Sequence, residues 1–381
     1  MNLHPQHPKR LGCSATPAQN GKSQYKSLLE PSAVRELLRQ AVTQTTSGLH
    51  LTRSEMRQVV DILVACDLAE EPYGILAGAL LCSLKTKGET VDEIVGAADS
   101  LRHHQIPIEP PSPGEIIVDT CGTGGDGAHL INISTITGIV LATIGLTVAK
   151  HGNRSVSSAC GSADLLEHLG YPLHSSPTSV SRCMKESSFG FLFAPHFHPA
   201  LKNLAALRRS LGVRTIFNML GPLVNPINVS HQMIGVFDRS IVEPMARAAA
   251  ELGLQRVMVV HGEGGLDELS PFGRSWVAVC DGNGYQEMEW TPSDFGADPV
   301  ALEELAGGGP QENAQKCREL FAGKRPEAAR AVAMNCAALL WLVGRADSLS
   351  DGYKCAFEAL ASGRVEHAFS QMRNAARGQD S

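Results

Sequence analysis

The strongest constraint in this sequence is the run of residues 115–170, EIIVDTCGTGGDGAHLINISTITGIVLATIGLTVAKHGNRSVSSACGSADLLEHLG, which divides itself into strand, glycine turn, helix, strand and a second polar turn. A β-branched run at 115–120 breaks at Gly122, Gly124, Gly125 and Gly127. Glycine reaches backbone conformations closed to other residues and lets a phosphate come close. From Asn132 the segment NISTITGIVLATIG predicts a helix that opens with small polar residues. Its free amides and its dipole favour an anion, so strand, turn and helix together make a phosphate cradle.

Gly122, Gly124 and Gly127 also satisfy GxGxxG, a pattern that many unrelated turns share. A dinucleotide site wants an acidic residue about 20 positions further on, at the end of the second strand. Here the strand LTVA runs into a turn with Lys150, His151, Gly152, Asn153 and Arg154, the opposite charge. An arginine there could take the extra phosphate of NADP, but Asp126 inside the first loop opposes a bare pyrophosphate without a cation. Two consecutive turns rich in lysine, asparagine, serine and glycine suit a longer, multiply phosphorylated ligand. Two ordinary glycine turns capping helices are the plainer alternative.

At 381 residues and 43% hydrophobic, the chain can bury a large core. Its formal charge of −6 supplies no global basic field, which argues against nucleic acid and membrane partners and makes any anion site local. The ten cysteines are dispersed, without a CxxC pair or a zinc-like His/Cys spacing, and fit a reducing, cytoplasmic setting. No apolar run approaches the length of a membrane span. Residues 1–28 carry no acid and no periodicity and are expected to form a flexible arm; the prolines at 5, 8 and 17 count against the amphipathic helix of a transit peptide.

The expected organisation is a helical domain at 29–105, a linker at 106–114 (IPIEPPSPG) and an α/β domain at 115–381, with the segment near 190–225 packing on the helical domain. In the helical part, Val34, Leu37, Leu38, Ala41 and Val42 share one face, and capping boxes Thr52/Glu55 and Thr90/Glu93 each open a helix. Further strands are predicted at 189–195, 233–237, 256–262 and 276–280, with helices at 241–253 and 326–342 between and after them. This alternation gives a mostly parallel, helix-covered sheet, and DGNG at 281–284 adds a hairpin and an antiparallel edge.

Two features outside the opening run could carry chemistry. In HPALKNLAALRRSLG (198–212), a helix places Arg208 on the leucine side, while Lys202 and Arg209 point away. A guanidinium on an apolar face needs an anion, either an internal carboxylate or that of a ligand. After the strand VVHG, Asp267 and Glu268 are adjacent carboxylates at an expected carboxyl edge of the sheet, where two hard oxygen donors facing a phosphate cradle fit Mg²⁺. A solvated acidic turn is the common alternative. The histidines form no catalytic constellation, and neither a GxSxG elbow nor a Walker motif occurs.

Taken together, DTCGTGGDG, NIST, KHGNRSVSS, FLFAPHFHPALKNLAALRRSLGVRTIFNMLGPLVNP and GLDE resemble, in order and spacing, the anthranilate phosphoribosyltransferases of tryptophan biosynthesis. The resemblance extends upstream to KTKGETVDEIVGAA and downstream to AVAMNCAALLWL and ADSL. It implies a pentosyltransferase with a small N-terminal helical domain and a large α/β domain of nucleoside phosphorylase type, assembled as a homodimer through the helical domain. The donor, 5-phosphoribosyl pyrophosphate (PRPP), would bind between the domains with Mg²⁺, as two ions. By the same resemblance Gly122, Gly125, Asp126, Asn132, Ser134 and Thr135 line the donor site. Lys150, His151, Gly152, Asn153, Arg154 and Ser155 continue it, and Val156, Ser157, Ser158 and Ser162 complete it. Ser134, Asp267 and Glu268 take the metal positions, and Gly122, Asn153 and Arg208 the anthranilate positions; Arg208, Asn153 and Lys150 stand at the chemistry.

The absence of a nucleophile fits such a reaction, because the aniline lone pair is already available at neutral pH. Two positions depart from the family pattern: Leu130 stands where a hydroxyl residue is common before NIST, and Phe197 where a tyrosine is common. A pyrimidine nucleoside phosphorylase, a paralogue acting on another aromatic amine and a nucleic-acid-binding homologue remain as alternatives. KHGN and GLDE favour the transferase over the phosphorylase, and the acidic balance counts against nucleic acid.

Overall fold

The computed structural model describes residues 30–155, 159–173 and 176–378. The expected arm at 1–28 and Val156, Ser157 and Ser158 lie outside the described residues.

Four helices come first: α1 (Pro31–Thr46), α2 (Arg53–Ala65), α3 (Tyr73–Lys87) and α4 (Val91–His103). Both capping boxes form. The Glu55 N–H donates to Thr52 Oγ1 at 3.3 Å while Thr52 N–H donates to the Glu55 carboxylate at 2.8 Å; Glu93 and Thr90 do the same at 3.4 and 2.9 Å. Glu93 is completely buried, and its charge is met by Lys87 Nζ at 2.6 Å and by the Leu51 N–H at 2.9 Å. One carboxylate thus fixes the start of α4 against the end of α3.

Seven strands form one sheet: β1 (Ile117–Asp119), β2 (Thr147–Gly152), β3 (Phe189–Phe193), β4 (His231–Gly235), β5 (Arg256–Gly262), β6 (Ser275–Asp281) and β7 (Gly284–Trp290). Their order is β3-β2-β1-β4-β5-β6-β7. The first five are parallel; β6 and β7 are antiparallel and joined by the hairpin that DGNG predicts. Helices α5 (Ile133–Thr143), α6 (Ser162–His168), α7 (Pro177–Ser187), α8 (Ala194–Phe197), α9 (Lys202–Leu211), α10 (Val242–Glu251), α11 (Pro310–Phe321), α12 (Pro326–Leu342), α13 (Leu349–Ala361) and α14 (Arg364–Arg377) connect and follow the strands.

Along β5, Val257 and Val259 join the core shared with α1 to α4, whereas Met258 and Val260 join the core under α5 and α12. A strand buried on both faces loses the polar alternation of a surface strand. The chain steps outward from β1 through β2 to β3, then returns to the other flank of β1 as β4. Strand order therefore reverses between β1 and β4, and ligands of open α/β sheets collect at the carboxyl ends beside such a reversal.

Several boundaries differ from the sequence expectation: β3 ends at Phe193 rather than at 195, since α8 begins at Ala194, and β4 lies two residues earlier than 233–237. Strand β1 is shorter than 115–120, and β2 runs past LTVA, because Lys150, His151 and Gly152 pair with Phe191, Leu192 and Phe193 of β3. Lys150 and His151 are consequently buried strand residues rather than turn residues.

Between β3 and β4 the chain leaves the sheet and packs on the helical unit. Asn203 Nδ2 of α9 donates to the Val64 carbonyl at 2.7 Å, and Gly78 of α3 leaves room for Leu211, whose Cδ2 would lie 3.5 Å from a Cβ at that position. In return, Arg102 of α4 donates to the carbonyls of Leu223 at 2.8 Å and Leu252 at 2.7 Å. Leu252 closes α10, where carbonyls lack helical partners and the dipole favours a cation. Arg102→Leu leaves both carbonyls unpaired and is expected to lower stability by about 2 to 4 kcal/mol, read as a reduced midpoint in urea unfolding.

Candidate active site

The carboxyl edge of the sheet is organised around Asp119, the last residue of β1, which is fully buried. Its Oδ1 accepts the N–H of Cys121 at 3.0 Å and of His151 at 3.3 Å. Its Oδ2 accepts Asn225 Nδ2 at 2.8 Å and Gln232 Nε2 at 3.4 Å. Burial pushes this carboxyl up, while the nearby Lys150 charge and these donors act in the opposite direction. Among the described residues Lys150 Nζ itself donates to the carbonyls of Thr120 at 3.2 Å and His151 at 3.4 Å.

Beyond Asp119 the glycine loop crosses toward β4 and the acidic pair. Gly124 and Gly125 adopt φ of +68° and +77°, values that favour glycine. At the end of β4, a Cβ on Gly235 would fall 1.5 Å from the Asp267 carbonyl, so only glycine lets the two loops cross there. Asp267 Oδ2 accepts the Gly124 N–H at 2.7 Å, and Glu268 Oε1 accepts the Ser134 N–H at 3.0 Å at the start of α5. Thr120 Oγ1 donates to the Ser134 carbonyl at 2.8 Å, and Thr135 is buried.

Burial, with Asp126 facing it, pushes the Asp267 carboxyl up to about 7; burial, with Asp267 beside it, also pushes Glu268 well up. Carboxylates in this state are short of positive charge. Among the described residues no three His, Cys, Asp or Glu side chains converge as a complete metal cage. The donors fit a hard cation such as Mg²⁺ held by a couple of carboxylates and completed by ligand oxygens.

The second turn is tied to the first. Asn132 Nδ2 donates to the Cys160 carbonyl at 2.9 Å, and its Oδ1 accepts Asn313 Nδ2 at 3.1 Å. The Asn153 carbonyl accepts Ser162 Oγ at 3.1 Å, and Asn153 Oδ1 accepts the Arg154 N–H at 2.7 Å. Gly152 abuts Ser162, whose Oγ would lie 2.2 Å from a Cβ on the glycine. Asp164 of α6 accepts the Ser155 N–H at 3.0 Å. The Arg154 guanidinium is engaged by Asp164 at 2.9 Å and Glu167 at 2.6 Å rather than left for a phosphate.

Arg208 lies on the leucine side of α9, half-buried, with Lys202 and Arg209 exposed. Among the described residues it has neither an ion pair nor a hydrogen bond; its guanidinium lies 6.0 Å from the centre of the Phe217 ring. The internal carboxylate that the sequence left open is not there. Burial lowers its proton affinity, as expected of a desolvated cation without an anion. His151 and His198 lie with ring centres 5.2 Å apart and planes inclined at 58°; His151 Nδ1 bonds the Gly221 carbonyl at 3.0 Å. Burial pulls His198 down to about 4 and His151 well below its usual value, so both are neutral near pH 7. Phe197 is buried in the core shared with the helical unit, and Leu130 packs on the other core.

The fold thus brings Gly122, Gly125, Asp126, Asn132, Ser134, Lys150, Asn153, Asp267 and Glu268 to one edge. Arg208 stands apart on α9, and the link from that segment to the glycine loop is Arg214, whose Nη2 donates to the Gly125 carbonyl. Sequence reasoning missed Arg214, Asp119, Asn225 and Gln232. A carboxylate closing a β-branched run just before the glycines is the signal that could have exposed Asp119.

A four-helix unit ahead of a mostly parallel sheet with this phosphate edge defines a two-domain glycosyl transferase. Residues 37–105 match the glycosyl transferase family, helical bundle domain, and residues 114–366 match the glycosyl transferase family, a/b domain. The anthranilate phosphoribosyltransferase of Myxococcus xanthus is 44% identical over 336 residues, 88% of this chain and 98% of that protein. The crystal structure of the anthranilate phosphoribosyltransferase from Thermus thermophilus is 40% identical with a TM-score of 0.79, over 88% of this chain and 99% of the other. That of the Saccharomyces cerevisiae enzyme in complex with PRPP and Mg is 26% identical with a TM-score of 0.81, over 90% and 98%. The chain belongs to the anthranilate phosphoribosyltransferase family.

The buried histidines set a pH dependence. Unfolded histidine takes up a proton near 6.5, whereas folded His198 does so only near 4, so the unfolded state binds more protons in between. Stability is expected to fall by about 3 kcal/mol from this residue alone as pH drops through that window. Urea midpoints measured from pH 7 to 4.5 should decline more steeply for the native protein than for His198→Phe.

Proposed function

We propose that this protein transfers the 5-phosphoribosyl group of PRPP to the amino nitrogen of anthranilate, releasing pyrophosphate, in tryptophan biosynthesis. The observation that carries the acceptor is Arg208, a half-buried guanidinium that no anion meets among the described residues. Its planar fork suits a carboxylate bound through two hydrogen bonds, which aims the neighbouring amine. The donor is supported by the two linked turns, whose backbone amides and Lys150 meet negative charge at the strand reversal.

The chemistry asks little of a base. The aniline nitrogen attacks C1 of the ribose with its lone pair, the bond from C1 to pyrophosphate breaks, and the nitrogen then releases one proton. What must be stabilised is the charge growing on the departing pyrophosphate as the ribose becomes oxocarbenium-like. Asp267 and Glu268 would hold Mg²⁺, with Ser134 beside them, and the cation supplies that charge stabilisation when bound. Two ions are part of the proposal, and the support for them is the placement of Asp126 beside Asp267 and Glu268, a third carboxyl at the same edge. Asn153 and Gly122 flank the place where donor and acceptor would meet.

Assembly as a homodimer through the helical unit is part of the proposal, supported by Ile75, which is 64% exposed on the largely apolar α3. A cytoplasmic location is supported by the free cysteines among the described residues other than Cys66.

The deciding experiment mixes protein, Mg²⁺, PRPP and anthranilate and follows anthranilate fluorescence; an unchanged signal refutes the assignment. Arg208→Ala is expected to lower kcat/KM for anthranilate by roughly 10- to 100-fold, the scale of a lost charge-assisted hydrogen bond. Asp267→Asn is expected to abolish Mg²⁺-dependent turnover with an unchanged circular dichroism spectrum. Equal activity across a Mg²⁺ titration would exclude the metal role.

A further inference from the structure

The glycine loop is fastened at three consecutive residues by three different parts of the fold. The Thr123 N–H donates to the Gly235 carbonyl at 2.8 Å, and the Gly124 N–H to Asp267 Oδ2 at 2.7 Å. Both partners belong to the sheet edge. The third tie comes from outside it, where the Gly125 carbonyl accepts Arg214 Nη2.

Arg214 follows α9 directly, past the left-handed Gly212 that ends it, and lies six positions beyond Arg208. Its guanidinium stacks on Phe237, 4.1 Å from the ring centre, and the Phe237 N–H donates to Thr123 Oγ1 at 3.2 Å. Arg214 therefore grips the loop at Gly125 and leans on the residue that braces it at Thr123. Among the described residues no carboxylate pairs with Arg214, so the carbonyl and the ring define its place. Stacking flat while donating in plane is what a guanidinium can do and an ammonium cannot.

We propose that Arg214 is a positioning residue for the transfer reaction, through which the segment carrying the acceptor arginine holds the glycine loop in its donor-receiving shape. The proposal rests on the donor and acceptor assigned above, and it deepens them by making one stretch of chain, residues 208–214, responsible for both ends of the reaction. Arg214 is exposed, so its removal need not unfold the protein.

Two readouts test it. Hydrogen–deuterium exchange of peptides spanning residues 122–131 in the ligand-free protein reports the clasp without any substrate. Arg214→Ala and Arg214→Lys should both speed exchange there by about fivefold or more, with Phe237→Leu giving a smaller rise and all three keeping the native melting temperature within about 2 °C. In steady-state kinetics the two arginine variants should raise KM for PRPP roughly fivefold to tenfold and move KM for anthranilate by less than about twofold. Unchanged exchange in Arg214→Ala overturns the clasp. Full rescue by lysine overturns it as well, since charge alone would then suffice, and faster exchange with an unchanged KM for PRPP overturns its link to the reaction. If the native protein fails to consume anthranilate, the reaction assigned above falls, while the exchange measurement still decides the clasp.

Discussion

One buried carboxylate determines where the reactive parts of this protein can be. Among the described residues Asp119 forms no ion pair; Lys150 acts on it from nearby, and four donors bond its oxygens, the N–H groups of Cys121 and His151 and the amides of Asn225 and Gln232. A buried carboxylate left without such donors is strongly unfavourable, so the four cannot drift independently. They come from the glycine loop, from β2 and, about 70 to 80 positions further on, from the GPLVNP stretch and β4. The two phosphate turns are in register because both are measured from the same pair of oxygen atoms.

Around that fixed point charges of both signs are poorly met among the described residues. Arg208 has lost water without gaining an anion there, and Asp267 and Glu268 are buried beside Asp126, a crowding that the nearby Lys150 charge offsets in part. Each arrangement costs folding free energy in the ligand-free state, and each matches a group that the proposed substrates bring: a carboxylate for the arginine, a metal-bound pyrophosphate for the acids. Structures commonly break the rules of internal pairing at functional sites. Here the breaches fall on two separate elements, α9 and the loop after β5, as a two-substrate reaction demands. Arg154 is the counterexample, since its charge is already satisfied within α6.

Much of this was legible beforehand because it depends on local pattern. Both capping boxes, the hairpin at DGNG, the strands from 189 to 280 and the leucine face carrying Arg208 follow from spacing alone. The extension of β2 through Lys150, His151 and Gly152 was hidden, because polar residues break the apolar run while β3 still supplies the ladder. Asp119 fell inside the β-branched run 115–120 without a role of its own, since its four donors are invisible in one dimension. The capture of Arg154 by Asp164 and Glu167, on the next helix, follows no helical spacing. Arg214 reaches a carbonyl 89 positions away, a contact that no local pattern encodes.

The packing of α9 has a further consequence for modularity. Asn203 bonds the end of α2, and Leu211 fills the hollow over Gly78 on α3, so the helical unit is completed by a helix encoded about 100 residues downstream, after three strands of the other domain. Cutting at the proline-rich linker would therefore yield a bundle missing one of its own staves. A swap of the N-terminal unit between relatives would have to carry α9 with it, and with α9 travels Arg208. The boundary between the two units is thus a surface that the chain crosses at the linker, again between β3 and α9, and a third time on its return to β4.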